Sequence, residues 1–253
     1  MKRIIKISLI FLLVGMAVIV AVPFLKEKEA EKKSDNGFKE IQESVTDKKD
    51  KTINVEKLKG ENKDCIGYLE VSGTTISYPV MQMKDNPDYY LNHDFNKNYS
   101  FYGTPYLSAY CDINKSDNLI IYGHNINGGK MFGALEQYKD KDFFDKHRKI
   151  YFTTNRRRKH EVFAVISVNI KEFEYWKFVM ARDEKDYDKF VEKVLEHSLW
   201  NTGKKPKYGK QMLMLSTCDN GKGDDWRIVV VGKSAFNFKQ NANRKRIKFR
   251  RSR

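Results

Sequence analysis

Gln211-Met212-Leu213-Met214-Leu215-Ser216-Thr217-Cys218-Asp219-Asn220, followed after a glycine-containing loop by Trp226-Arg227-Ile228-Val229-Val230-Val231-Gly232, decides how this chain folds. An apolar run that breaks into Ser-Thr-Cys-Asp and resumes as a β-branched run opened by an arginine reads as two buried strands joined by a polar loop. Cys218 then sits at a strand end, where a side chain can meet a substrate. If the two strands pair, Arg227 brings its guanidinium back to the cysteine. A thiol beside a fixed cation is half of an activated nucleophile. The other half, a base or acid, must come from elsewhere in the chain.

Outward from this pair the chain reads as short apolar segments punctuated by turns. Residues 66–71 and 74–80, separated by Ser72-Gly73, have the pattern of a β-hairpin. Residues 86–91 open with Asn-Pro-Asp and read as a short helical turn. Residues 104–110, 118–122, 149–153 and 160–170 read as further strands, the last two around the basic turn 155–159. Helical periodicity covers 131–138, continues at Phe143-Phe144, and is clearest at 183–199, with Tyr187, Phe190, Val191, Val194 and Leu195 on one face. Seven or eight short strands with helices inserted and no βαβ repetition make a mainly β fold, a closed or nearly closed barrel, the expectation. The glycine-rich loops that cradle phosphates are absent.

The ends of the chain differ from its middle. Residues 1–6 are basic, and 7–25 run without a charge over about 19 residues, close to the roughly 20 that span a bilayer. The run is long for a cleaved signal peptide and its small-x-small site is poor, so an uncleaved transmembrane signal anchor is the expectation. The positive-inside rule then places everything after Lys26 outside the cell. Residues 26–60 read as a charged spacer giving way to one or two amphipathic helices through Phe38, Ile41 and Val45, and 61–238 as the folded domain. The net charge of +15 is uneven, because 239–253 holds eight Lys and Arg and no acid. Such a tail is either a solvated extension or a contact for anionic wall polymers or lipid head groups. No nucleic-acid module accompanies it.

Three cysteines (Cys65, Cys111, Cys218) in an exported chain do not make a disulfide framework. Cys65 and Cys111 read as small buried hydrophobes, which leaves Cys218 as the thiol with a chemical purpose. Of the five histidines, His93, His147, His160 and His197 lie in polar or basic surroundings and read as surface residues. His124 ends a buried strand, as Cys218 does, with a glycine before it and a glycine loop after it. Clustered Cys/His spacings for a metal are missing, as is an EF-hand-like loop, so neither metal nor cofactor is expected.

Leu215-Ser216-Thr217-Cys218 with Arg227 nine residues on, Tyr122-Gly123-His124-Asn125 upstream and Met131-Phe132-Gly133 after it, resembles the sortases, cysteine transpeptidases of Gram-positive cell walls. The family pattern is T-L-x-T-C, and Met214 stands in its first position. The resemblance covers about residues 60–236. It implies a closed eight-stranded β-barrel with inserted helices and an N-terminal helical extension. That extension, the Ser of Leu-Ser-Thr-Cys-Asp and a long helix before the cysteine strand are most similar to class B, which carries a helix between its sixth and seventh strands.

What the resemblance implies for function is acyl transfer in two halves. Cys218 attacks the Thr carbonyl of an Asn-Pro-x-Thr-x-like sorting signal, Arg227 stabilises the oxyanion, and His124 moves the protons. Ser216 and Thr217 line or orient the site, Asp219 orients Arg227 or His124, and Thr104, Tyr122 and Asn125 shape the cleft. The implied partners are surface proteins with a C-terminal sorting signal, a peptidoglycan precursor amine and the membrane. The alternatives are a non-catalytic wall-associated binding protein on the same barrel and a pilin-polymerising sortase. A papain-like hydrolase is disfavoured, because its cysteine would precede its histidine and open a helix.

Overall fold

The structure, a computed structural model, describes residues 2–46, 52–200 and 202–237, and gives only the backbone for 2–14, 17, 18, 20, 27, 236 and 237. It divides into two units, Met1–Ser44 and Val45–Arg253. The basic tail 239–253 lies outside the described residues.

The first unit is a single helix, α1 (Lys2–Val45), with Pro23 inside it. Of residues 26–60, expected as a charged spacer giving way to amphipathic helices, the stretch through Phe38, Ile41 and Val45 is helical, and the spacer before it continues the helix of the apolar run. The cause is local: 26–33 are Glu, Lys and Ala throughout, all strong helix formers. Among the described residues no helix is long and apolar enough to cross a membrane. Most side chains of 7–25 are not among those described.

The second unit opens with α2 (Val55–Glu61), whose Asn54 side chain caps the Lys57 N–H at 3.2 Å while Val55 and Leu58 are buried. Eight strands follow: β1 (Cys65–Val71), β2 (Ser77–Met81), β3 (Tyr106–Leu107), β4 (Asn118–Tyr122), β5 (Lys149–Thr153), β6 (Arg157–Asn169), β7 (Lys210–Cys218) and β8 (Trp226–Asn237). They close into a barrel in the order β1-β2-β3-β4-β7-β8-β6-β5, as expected for a mainly β fold. Closure removes the edge strands that would otherwise template aggregation. Two neighbours are parallel, β2–β3 and β4–β7, and the latter sets Tyr122 opposite Ser216.

The core sits along β7 and β8. Every residue from Gln211 to Thr217 is buried, as a near-continuous apolar run must be when both faces of its strand are covered. Each buried Leu, Met or Val contributes about 1.5–3 kcal/mol in area terms. The helix before β7 is α3 (Glu184–Glu196), between the sixth and seventh strands; Asp183 caps it through Asp186 N–H at 2.8 Å, and Tyr187, Phe190, Val191 and Val194 are buried. It stops short of the predicted residue 199.

Three local readings change. The strand at 104–110 shrinks to Tyr106–Leu107, because the Cys111 N–H turns back onto the Ser108 carbonyl at 3.0 Å and leaves Tyr110 exposed. The basic turn is shorter than 155–159, since Arg157 pairs with Glu70 at 3.2 Å and lies over the Tyr151 ring, which lets β6 start there. The periodicity at 131–138 becomes a 3-10 segment, Gly133–Lys139, because Lys130 and Met131 are taken into a short ribbon with Ile126 and Asn125. Cys65 and Cys111 are buried free thiols, each pushed up to about 11 by burial.

Candidate active site

β7 loses its burial at one residue. Ser216 and Thr217 are buried, Cys218 is half-buried, and the chain then leaves the barrel. Arg227 is the direct antiparallel partner of Cys218, so the two side chains project to the same face. One Nη of Arg227 donates to the carbonyls of Asp224 at 2.5 Å and Trp226 at 2.9 Å, which rests the guanidinium on the loop beside the thiol.

His124 reaches this place from β4. The parallel β4–β7 pair ends at Tyr122 opposite Ser216, and Thr217 Oγ1 donates to the Gly123 carbonyl at 2.7 Å. The backbone before the histidine is thereby tied to the backbone before the cysteine. Gly123 has to be glycine, because a Cβ there would meet the Phe132 ring at 2.9 Å. Gly133 is under the same constraint, with the Ile126 carbonyl at 2.1 Å. These close approaches let the ribbon fold back until Phe132 N–H meets the His124 carbonyl at 2.8 Å.

The His124 ring is fixed from outside the barrel. Its Nε2 lies 2.9 Å from the Leu91 carbonyl, which can only accept, so Nε2 carries the hydrogen and Nδ1 is the basic nitrogen of the neutral ring. Phe101 lies nearly parallel to it, with centroids 6.3 Å apart. Burial lowers the His124 pKa below 6.5, and the Leu91 hydrogen bond offsets only part of that.

The site therefore gathers a thiol, an imidazole and a guanidinium at the ends of three neighbouring strands, which suits acyl transfer through a cysteine. A sortase domain model matches residues 69–235. The chain belongs to the sortase family. It is 33% identical over 182 residues to sortase B of Staphylococcus aureus, spanning 70% of this chain and 73% of that protein. Sortase B of Listeria monocytogenes is 34% identical over 176 residues, 68% and 70% of the two chains. Among solved structures, a Staphylococcus aureus sortase B–substrate complex superposes with a TM-score of 0.72 at 27% identity, covering 81% of this chain and 97% of the other. The chain is thus a sortase most like class B.

The other predicted site residues divide. Ser216 Oγ is bound to Tyr175 OH at 2.7 Å, and both it and Thr217 are buried, so the two hydroxyls brace the strand end. Tyr122 packs on Tyr106, ring centroids 5.6 Å apart. Thr104 is buried and donates to the His93 carbonyl at 3.0 Å, while its N–H holds the Tyr90 carbonyl at 2.9 Å, beside the Leu91 carbonyl that anchors His124. Its place is behind the histidine, not in the cleft.

Asp219 contradicts its reading as an orienter of Arg227 or His124. Its carboxylate is committed to Lys139 Nζ and Ser167 Oγ, each at 2.6 Å. Burial alone would raise its pKa; those hydrogen bonds outweigh it and hold the carboxyl below the ordinary value. Asn125, expected to shape the cleft, donates its Nδ2–H to the Cys218 carbonyl at 2.8 Å.

Sequence reasoning missed Tyr175, Glu136 and Lys139. Tyr175 is fully buried beneath Ser216, pushed up to about 12 by burial, and close enough to feel the charge of Arg227. No periodicity marks it, because it lies in a three-residue 3-10 turn, Tyr175–Lys177.

Proposed function

We propose that this sortase cleaves a Thr-x bond in an Asn-Pro-x-Thr-x-like sorting signal and joins the Thr carboxyl to a cell-wall precursor amine. The observation that carries this is the register that sets Arg227 opposite Cys218, with His124 tied to the same strand end through Thr217. In the first half, Cys218 Sγ attacks the Thr carbonyl and the carbon–nitrogen bond breaks. His124 takes the thiol proton during the attack and passes it to the departing amine, leaving a thioester. Arg227 turns from the Asp224 carbonyl towards the developing oxyanion, where a charged donor contributes most. In the second half, the incoming amine gives its proton to His124 and attacks the thioester, the carbon–sulfur bond breaks, and His124 returns that proton to the leaving sulfur, which restores the thiol.

A thioester is lost to water unless the groove is walled. Support for such a wall is the tie between the β7–β8 loop and the segment after β6, through the Lys171–Asp225 ion pair and the Ile170 N–H on the Asp225 carbonyl at 3.0 Å.

We also propose that residues 7–25 anchor the chain in the cell membrane as a single pass, with the domain extracellular. Support comes from the uncharged run itself and from the exposure of Met16, Ile19, Val22, Phe24 and Leu25 on α1. The clients are then surface proteins bearing the signal, and the basic tail 239–253 meets anionic wall polymers or lipids.

The test is cleavage of a fluorogenic Asn-Pro-Gln-Thr-Asn peptide by the domain without residues 1–25. Wild type cleaves, faster with an added amine acceptor, and Cys218→Ala does not. Equal cleavage by the two proteins sinks the assignment.

A further inference from the structure

Beside the thiol lies a polar assembly that the transfer steps leave unused. Asn125 Nδ2 donates both to the Cys218 carbonyl and to Glu136 Oε1, each at 2.8 Å. The other oxygen of Glu136 meets Lys139 Nζ at 2.5 Å. The same ammonium donates to Asp219 at 2.6 Å, and the second oxygen of Asp219 accepts from Ser167 on β6. The Asp219 side chain is fully buried, whereas Glu136 and Lys139 are partly exposed.

This arrangement acts on one peptide bond. The Asp219 N–H donates to the Trp226 carbonyl at 3.0 Å, so both polar groups of the Cys218–Asp219 peptide are fixed, the C=O by Asn125 and the N–H by β8. That peptide sets the backbone angle from which the Cys218 side chain springs. Asn125 directly follows His124, so the hydrogen bonds run from the residue after the histidine to the residue after the cysteine. Glu136 and Lys139, one turn apart in Gly133–Lys139, hold the two ends of that path.

We propose that Glu136 and Lys139 are positioning residues for the transfer reaction, setting the placement of Cys218 against His124 through Asn125 and Asp219. The inference rests on the reading that Cys218 and His124 carry the chemistry. Lys139 lies between two carboxylates. Burial would lower its pKa, but Asp219 and Glu136 hold it above the ordinary lysine value. Charge-assisted hydrogen bonds of this length are about twice as strong as neutral ones, so the path is stiff. Without the ammonium, Asp219 is a buried charge lacking its counter-ion, and Glu136 faces it with like charge. The segment then moves, and a misplacement of about 1 Å can cost about 100-fold in rate.

The test is steady-state cleavage of the same peptide by Lys139→Met, Lys139→Arg and Glu136→Gln, beside wild type and Cys218→Ala. Lys139→Met should lower kcat about tenfold or more with KM within about twofold, and Lys139→Arg should restore most of it, because the loss is in geometry and not in peptide binding. Glu136→Gln keeps an acceptor for Asn125 but loses the ion pair; kcat should fall about threefold, with little further loss when added to Lys139→Met, since the two act on one path. An unchanged kcat in Lys139→Met, or a loss confined to KM, overturns the proposal, as does an Arg variant as slow as Met. Should Lys139→Met fail to fold, Glu136→Gln decides by the same kcat criterion. If Cys218→Ala is inactive while Lys139→Met is fully active, positioning fails alone. If Cys218→Ala cleaves like wild type, the underlying reading fails with it.

Discussion

His124 and His160 stand in two regions of one barrel, and burial lowers the pKa of both. His124 lies at the open end of β4, half-buried, with its Nε2 engaged by the Leu91 carbonyl and the site around it cross-tied by Thr217 and Asn125. His160 lies on β6 between β5 and β8, opposite Ile150 and Ser234, and was read from sequence as a surface residue. It is fully buried, and among the described residues neither ring nitrogen has a partner in hydrogen-bond geometry. Its pKa falls to about 3, chiefly through burial and secondarily through the Arg158 charge, with a poorly aligned Arg158 backbone contact offsetting little. The difference separates two uses of a buried imidazole. One is held by a single carbonyl and left with a basic nitrogen for chemistry. The other is inert at neutral pH and makes the barrel sensitive to acid.

The largest expected effect breaks the comparison on the catalytic side. Arg227→Ala should lower kcat about 10²–10³-fold if the guanidinium stabilises an oxyanion. Its bonds go to the carbonyls of exposed Asp224 and half-buried Trp226, which makes the cost in thermal stability small. Arg227→Lys keeps the charge and loses the fork; recovery of less than a tenth of the activity points to hydrogen-bond geometry, and full recovery points to charge alone.

The next effect lies on the other side. Because the folded pKa of His160 is depressed below 6.5, its contribution to stability is fully present above that value and is lost as pH falls towards 3. His160→Leu removes the proton that the unfolded chain alone can bind. Urea unfolding between pH 4 and 6 should then take up about one proton fewer than wild type, with cleavage at neutral pH unchanged. An identical pH slope would show that His160 meets water or a partner. The smallest effect is spectroscopic. In Cys218→Ala, where no thiol couples to the ring, the His124 imidazole should titrate below 6.5. A His124 midpoint above 6.5 would place a carboxylate near it that the structure does not show.

Much of this was legible along the chain. The apolar run ending in Ser216-Thr217-Cys218 and the β-branched run opened by Arg227 carry their period and polarity locally, and their pairing returns Arg227 to the neighbourhood of Cys218, while the register that opposes the two residues is fixed by the intervening loop. His124 could be placed because a strand end and its glycines mark themselves. Asp219 was misread because nothing near it in sequence reveals that Lys139, eighty positions away, takes its carboxylate. The same holds for Tyr175 under Ser216. His160 was misassigned because the basic residues beside it suggest solvent, whereas the strand is largely covered from His160 onward and opens only in its first three residues. Composition spoke against a long helix at 26–45 only if charge is taken to mean loop; Glu, Lys and Ala are helix formers first.

The central claim is that Cys218 forms a thioester with the Thr of a sorting signal. Intact-protein mass spectrometry after brief incubation with an Asn-Pro-Gln-Thr-Asn peptide, quenched in acid, tests it most directly. The account predicts an adduct of the Asn-Pro-Gln-Thr acyl group on Cys218, absent in Cys218→Ala and discharged by hydroxylamine or an added amine. Peptide cleavage with no adduct on Cys218 in the wild type, or an adduct that persists in Cys218→Ala, would contradict it.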